Sequence, residues 1–189
     1  MVESSPESLL KLNLLKKDNI RLREILNLQE SSKNDTLSAA VISRKTGSWW
    51  RQIILNKGSK DGVQIGNTVI GPGGLLGRIN NTSLFTSSVT LLTSPESKVG
   101  VWLDRIQING LLVGLADDYP SLIIYSKDAD IKVGDFVSSS PASTLFPPNI
   151  PIGIVQSLDK PLKAKKTAKI SLLAKPQVID WVQILKVKI

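Results

Sequence analysis

The sequence predicts a mainly β protein that begins with a helix, and three observations support this fold class. From residue 38 onward, apolar residues recur with a period of two in twelve short runs separated by turn residues. Residues 9–29 instead carry leucines at helical spacing. The length of 189 residues suffices for one large core or two small ones. Barrels or a sandwich are the natural architectures for the β region, because both hide strand edges.

The helix is predicted from a short heptad seam. With position a at residue 12, the a and d positions hold Leu12, Leu15, Asn19, Leu22 and Leu26. A buried Asn at position a fixes the register of a coiled coil at some cost in stability. The seam therefore favours dimerisation. The alternative is that the helix packs on its own β region, because further apolar residues between the seam positions widen its apolar face.

The polar stretch 31–37 ends the first segment, so residues 1–37 are assigned to the helix and a linker. The strand candidates are residues 39–44, 49–56, 67–70, 75–80, 87–93, 99–103, 107–114, 121–126, 136–139, 152–157, 167–174 and 181–187. A boundary is expected near residue 105, where one series of strands closes and another begins. This gives β units at residues 38–105 and 106–189, and residues 180–189 could return to complete the first unit.

Turn residues separate these predicted strands. Gly134 and Asp135 turn the chain into the run 136–139, and Phe146 with Pro147 is expected to anchor the next loop. Turn roles are also assigned to Gly62, Gly77, Gly114 and Gly153. The glycine-rich run 71–77 is predicted to be a hairpin turn, and not a phosphate-binding loop, because a strand-like alternation follows it where such a loop needs a helix.

The composition argues against an enzyme. The chain contains no cysteine and no histidine, which excludes thiolate chemistry, a Ser-His-Asp triad and the commonest zinc ligands. The serine clusters at 87–88 and 138–140 therefore lack a histidine base. The acidic pair Asp128 and Asp130 lacks the glycine and the downstream glutamate of a calcium loop. We predict no catalytic residue, cofactor, metal site or small-molecule substrate.

The net charge of +8 is concentrated late in the chain. The lysines of this cluster are Lys160, Lys163, Lys165, Lys166 and Lys169. They are read as a solvated hairpin loop, or alternatively as a site that attracts anionic lipid head groups, wall polymers or nucleic acid. The rival functional hypothesis is a nucleic-acid-binding barrel that uses this loop and exposed tryptophans such as Trp49 or Trp50. An aromatic content of 5% makes nucleic acid an unlikely partner.

Three stretches, taken together, resemble the MreC family of bacterial rod-shape-determining proteins. They are N-K-G-S-K-D-G-V at residues 56–63, G-G-L-L-G-R-I at residues 73–79, and residues 130–155. The resemblance covers nearly the whole chain. It is weaker at residues 140–149, where Pro141, Ala142 and Asn149 stand in place of the family's glycine-rich run before F-P-x-G.

The resemblance implies an N-terminal coiled-coil helix followed by two small β-barrel domains on the periplasmic side of the inner membrane. A single-pass anchor is expected upstream of residue 2, since no run of about 18 apolar residues occurs in the sequence. The implied function is a non-enzymatic cell-shape scaffold of the wall-elongation machinery. Its implied partners are further copies of itself in a homodimer or filament, MreD, penicillin-binding proteins and the MreB system.

Overall fold

The computed structural model describes residues 7, 9–15, 17, 36–45, 51–126, 128–159 and 165–186. Residues 7, 9–15 and 17 are helical, and the seam residues Leu12 and Leu15 on this helix are 49% and 60% exposed. The other seam residues, Asn19, Leu22 and Leu26, lie outside the described residues, so the coiled coil stays a prediction. No helix within the described part is long and apolar enough to cross a membrane.

The β region, Asp35–Ile189, is a unit of its own. Its strands are β1 (Thr36–Lys45), β2 (Gln52–Leu55), β3 (Thr68–Gly71), β4 (Gly74–Thr82), β5 (Ser87–Leu91), β6 (Lys98–Leu103), β7 (Ile108–Val113), β8 (Ser121–Ile124), β9 (Phe136–Ser139), β10 (Pro151–Leu158), β11 (Lys166–Leu172) and β12 (Trp181–Leu185). A short 3-10 helix occupies Ser59–Asp61.

These strands form two closed antiparallel barrels of six strands each. The first has the order β1-β12-β3-β4-β5-β2, and the second has the order β10-β11-β8-β7-β6-β9. The long strand β1 pairs with β12 through its first half and with β2 through its second half, which helps to close the first barrel. The prediction of a mainly β protein with two small barrels is confirmed.

The period of two places alternate residues in the barrel interiors. In β5, for example, Ser87, Val89 and Leu91 are buried while the residues between them are partly exposed. The first interior is filled mainly by aliphatic residues such as Ile53, Val89 and Ile184. The second contains Val101, Leu122 and Ile170 together with Phe146. Burial of these side chains is the main driving force for each barrel.

The predicted boundary near residue 105 differs from the observed one. Strand β6 pairs with β7 and β9 and belongs to the second barrel, so the boundary lies before Lys98. Strand β12 pairs with β1 and β3 and belongs to the first barrel. The boundary was misplaced because turn residues show where a strand ends, whereas they do not show which strand it pairs with.

Each barrel core is completed by residues that the other barrel or its connections supply. Leu75, near the start of β4, and Leu92, directly after β5, pack in the core cluster of the second barrel. Ala174 and Ile179, in the connection between β11 and β12, pack in the core cluster of the first barrel. The two cores are therefore linked by exchanged apolar side chains.

Backbones come very close where the β3–β4 hairpin meets the second barrel. A Cβ atom on Gly73 would lie 2.7 Å from the carbonyl oxygen of Leu173, and φ of Gly73 is +99°. A Cβ atom on Gly74 would collide with the carbonyl oxygen of Pro151. Only glycine satisfies both the backbone conformation and the available space at Gly73.

The glycines that were assigned turn roles have different environments. Gly62 and Gly134 have φ of +83° and +94° and do lie in turns. Gly77 and Gly153 lie inside β4 and β10, so their turn assignment is wrong. A Cβ on Gly77 would collide with the carbonyl oxygen of Thr90 on β5, and one on Gly153 would lie 2.5 Å from that of Ser171 on β11. Gly114 follows β7, where a Cβ would collide with the backbone of Ser94.

Asp135 organises the loop that enters β9. Its carboxylate accepts two hydrogen bonds from the Arg105 guanidinium, at 2.5 Å from Nε and 2.9 Å from Nη2, and one from the backbone N–H of Lys132 at 2.8 Å. The bonds from Arg105 hold the pKa of the Asp135 carboxyl below its usual range, and they raise the pKa of Arg105. Arg105 also contacts Asp130 through the backbone carbonyl and the side chain.

Phe146 and Pro147 hold the loop between β9 and β10. Phe146 is 7% exposed and packs in the second core. The Ser139 hydroxyl donates a 2.6 Å hydrogen bond to the Pro147 carbonyl and accepts one of 2.8 Å from the Ile150 N–H. Asn149 adopts a left-handed conformation with φ of +61°, so this loop keeps a positive φ without glycine.

The close contact at Gly73 yields a stability prediction with a matched control. Gly66 has a φ of +96°, but a Cβ atom added to it would have no other atom within 4 Å. Gly66→Ala should therefore lower the free energy of unfolding by about 1–2 kcal/mol, which is the cost of holding alanine at a positive φ. Gly73→Ala should lower the free energy of unfolding by about 1–3 kcal/mol more than Gly66→Ala does, because its methyl group also overlaps the Leu173 backbone. Urea unfolding of both variants measures the difference. Equal losses would show that the hairpin contact tolerates a methyl group.

The Asp135 contacts yield a prediction on pH dependence. A carboxyl whose pKa is lowered on folding stabilises the protein above its unfolded pKa of about 3.9, and this contribution is lost as the pH falls through the folded pKa. Asp135→Asn should reduce stability by about 1–3 kcal/mol at neutral pH. The difference in stability between Asp135→Asn and the wild type should become smaller below about pH 4. Urea midpoints measured across pH test this, with the exposed Asp159→Asn as control. A gap that does not change with pH would contradict it.

Candidate interaction surface

The connection between β11 and β12 borders an open groove that is partly apolar. This connection, residues 173–180, leaves the second barrel and enters the first, and we call it the crossover segment. Three adjoining depressions lie along it: the first and second share Pro72 and Trp181 as lining residues, and the second and third share Lys175 and Val178. We call the combined surface the crossover groove. It is lined by Pro72, Tyr119, Leu173, Lys175, Val178 and Trp181.

The groove combines exposed apolar side chains with a firmly packed floor. Val178 and Trp181 are 74% and 63% exposed. Ala174 and Ile179, in the same segment, are buried in the first core. Trp181 begins β12, and because Val182 and Ile184 point into the barrel, Trp181 points outward. The outward face of β12 thus presents a large aromatic side chain beside an anchored segment.

Arg44 of β1 fastens the crossover segment to the first barrel. Its Nη2 donates hydrogen bonds of 2.7 Å to the Ile179 carbonyl and 2.6 Å to the Asp180 carboxylate, and its Nε donates one of 3.3 Å to the Pro176 carbonyl. The N–H of Val41 also donates to the Asp180 carbonyl at 2.9 Å. A groove held in this way loses little conformational entropy when a partner binds.

The other end of the groove is held by an ion pair between the barrels. Arg51, directly before β2, donates a 2.8 Å hydrogen bond to Asp118, which lies in the loop between β7 and β8. The Gln177 side chain of the crossover segment donates to the same carboxylate oxygen at 3.3 Å. Tyr119, next to Asp118, is 38% exposed. The groove therefore has an aromatic residue near each end.

A second apolar patch lies at the tip of the hairpin between β4 and β5. Leu84 and Phe85 are 64% and 62% exposed, and Lys60 Nζ lies 5.4 Å from the centroid of the Phe85 ring. The neighbouring Asp61 carboxylate accepts bonds from Lys57 and from the Gly58 N–H, which lower its pKa. This patch is therefore flanked by charged side chains.

The lysines and tryptophans of the rival hypothesis do not form one surface in the described part of the chain. Lys165, Lys166 and Lys169 lie at or on β11 of the second barrel, while Lys160 and Lys163 lie outside the described residues, as do Trp49 and Trp50. Trp102 is partly buried in the second barrel. Trp181, in contrast, belongs to the first barrel. The observed arrangement therefore lacks a row of basic and aromatic residues for base stacking among these positions.

Sequence reasoning missed the crossover groove. The sequence pattern placed Trp181 only at the beginning of a predicted strand, and Val178 only in the connection before that strand. A tryptophan on the outward face of a strand is a recognisable contact residue. Its outward position, however, follows only once Val182 and Ile184 are assigned to a core, and the groove further requires that β12 returns to the first barrel.

Comparison with known proteins agrees with this architecture. The family described as "Rod shape-determining protein MreC, barrel core" matches residues 41–186. The Cell shape-determining protein MreC of Listeria monocytogenes is 34% identical over 152 residues, which cover 77% of this chain and 51% of that protein. The chain spans about half the length of such curated relatives.

Solved structures show the same fold. MreC of Listeria monocytogenes superposes with a TM-score of 0.83 at 30% identity, covering 96% of this chain and 92% of that one. MreC in the complex between Penicillin-Binding Protein (PBP2) and MreC from Helicobacter pylori superposes with a TM-score of 0.62 at 14% identity, covering 80% and 98%. The fold, the family match over most of the β region and the identity to curated relatives lead to one conclusion: this chain belongs to the MreC family of rod shape-determining proteins.

Proposed function

We propose that this chain is the partner-binding part of a non-enzymatic scaffold of the cell-wall elongation machinery. The observation that carries the proposal is the crossover groove, an exposed aromatic and aliphatic surface held in place by Arg44 within the barrel core typical of the family. Its exposed Trp181 has the chemistry of an interface anchor, since tryptophan is among the residues that contribute most to protein–protein affinity. The scaffold acts by positioning its partners and not by chemistry.

The partner proposed for the groove is a penicillin-binding protein of the elongation type. The Helicobacter pylori relative with this fold has been solved in complex with PBP2, which motivates the choice. Both barrels contribute residues to the groove, so it suits a partner that contacts the two barrels at the same time. Tyr119 is contributed by the second barrel and Trp181 by the first.

Self-association is proposed to run through the N-terminal helix. Among its described residues, Leu9, Leu10, Leu12, Leu14 and Leu15 are all at least 49% exposed. Of these, Leu12 and Leu15 occupy a and d positions of the seam, where exposed leucines favour burial against a second copy. Because about three heptads are marginal alone, the dimer should be weak, and head-to-tail contacts between barrels would extend it into a filament.

The proposed location is the periplasmic side of the inner membrane, with a single-pass anchor upstream of this sequence. There the helix would set the geometry of the dimer close to the bilayer. MreD and the MreB system are proposed as further members of the assembly because the family is a family of rod shape-determining proteins.

The groove is tested by binding of an elongation-type penicillin-binding protein ectodomain, measured by biolayer interferometry at physiological salt. Trp181→Ala should weaken binding about 30-fold, which corresponds to the loss of a hot spot of about 2 kcal/mol. Phe85→Ala is the matched control, because Phe85 is 62% exposed and Trp181 is 63% exposed. Equal effects of both variants would place the partner elsewhere, and no binding by the wild type would refute the partner.

The dimer seam is tested by light scattering over a concentration series. Leu12→Asp with Leu15→Asp changes one a and one d position, and should abolish the dimer because two charges would be buried at the seam. Leu10→Asp with Leu14→Asp is the matched control at positions outside the seam, where the native leucines are 64% and 59% exposed. The control should keep the wild-type molar mass. The seam would be disproved if both double variants behaved alike.

A further inference from the structure

The outer face of the second barrel across β6, β7, β8 and β11 has an unusual composition. Cross-strand pairing aligns Lys98 with Val113, Val113 with Ser121, and Ser121 with Lys169. The next row aligns Leu111 with Ile123, and Ile123 with Thr167. Leu112, Leu122 and Ala168 point into the core, so the residues of these two rows point outward.

This face is amphipathic and positively charged. We call it the lysine face and define it by Lys98, Leu111, Val113, Ile123 and Lys169. Lys165 is included because it lies directly before β11 and continues the outward alternation of Thr167 and Lys169. The three lysines are exposed, and the aliphatic residues between them are half-buried. Tyr125, two residues beyond Ile123, is 72% exposed. No acidic residue occupies an outward position in the described parts of these four strands.

We infer that the lysine face binds an anionic phospholipid surface. Charge complementarity supports this, since each lysine near an anionic bilayer increases binding about fivefold. Exposed Tyr125 and the aliphatic strip add the apolar contact that a peripheral membrane site needs, with the aromatic ring at the level of the headgroups.

The choice of a lipid surface over an acidic protein rests on the type of cation. All three basic residues on the face are lysines, although the described chain has arginines elsewhere. Lysine is depleted in protein–protein interfaces, where arginine is enriched. It is well suited to a fluid layer of phosphate groups, because its ammonium group acts as a point charge without a fixed bonding geometry. This inference does not depend on the binding of a penicillin-binding protein.

The test is cosedimentation of the full chain with phosphatidylcholine vesicles, prepared with and without phosphatidylglycerol. The wild type should bind only the anionic vesicles. Lys165→Glu with Lys169→Glu should reduce that binding at least about tenfold. Lys45→Glu with Lys60→Glu makes the same change in net charge on exposed lysines of the first barrel, and should leave most of the binding intact. Thermal unfolding followed by circular dichroism verifies that all variants fold.

Two results would overturn the inference. Equal loss of binding in both double variants would mean that net charge alone attracts the chain. Failure of the wild type to bind anionic vesicles would exclude a lipid surface and favour an acidic protein as the occupant of this face. Tyr125→Ser provides an independent readout. It should weaken binding severalfold without changing its salt dependence, because it removes apolar contact and no charge.

Discussion

The close backbone contact between the β3–β4 hairpin and the second barrel is the constraint on which the rest of the structure depends. At Gly73 and Gly74 the hairpin approaches the backbones of Leu173 and Pro151 too closely for any side chain. This approach brings Leu75 into the second core. The crossover segment, held against the same hairpin, brings Ile179 into the first core. The barrels are thereby joined through packed interiors, which resist displacement far more than a polar contact would.

The crossover groove follows from the same chain path. A chain that completed each barrel from consecutive strands would need only one connection between them, such as the one between β5 and β6. Because β12 returns to the first barrel, the crossover segment must lie on the surface where the barrels meet. Ala174, Pro176 and Ile179 of this segment are buried, and the remainder, including Val178, face solvent. Arg44 satisfies the carbonyl groups of Pro176 and Ile179, so that the segment is rigid without being part of a sheet.

The extent of sequence-based prediction differs between the fold and the surface. Period-two alternation was sufficient to find the strands, because one face of each strand is buried. It was insufficient for Gly77 and Gly153, since a glycine in a turn and a glycine that allows strands to approach closely have the same local sequence signal. The boundary before Lys98 and the groove at Trp181 both depend on which strands pair. Pairing is a non-local property, and no short motif in this chain encodes it.

The crossover groove and the lysine face are surfaces of different chemistry, and this difference has a physical basis. The groove at Trp181 is a concave junction, where a rigid aromatic side chain can be desolvated from several sides by one partner. The lysine face is one side of a closed sheet, where the spacing of about 4.8 Å between strands spreads the ammonium groups apart. Spread charges suit a broad anionic surface, and clustered apolar residues suit a protein. A scaffold with both could hold a protein partner at the junction while the second barrel faces the membrane.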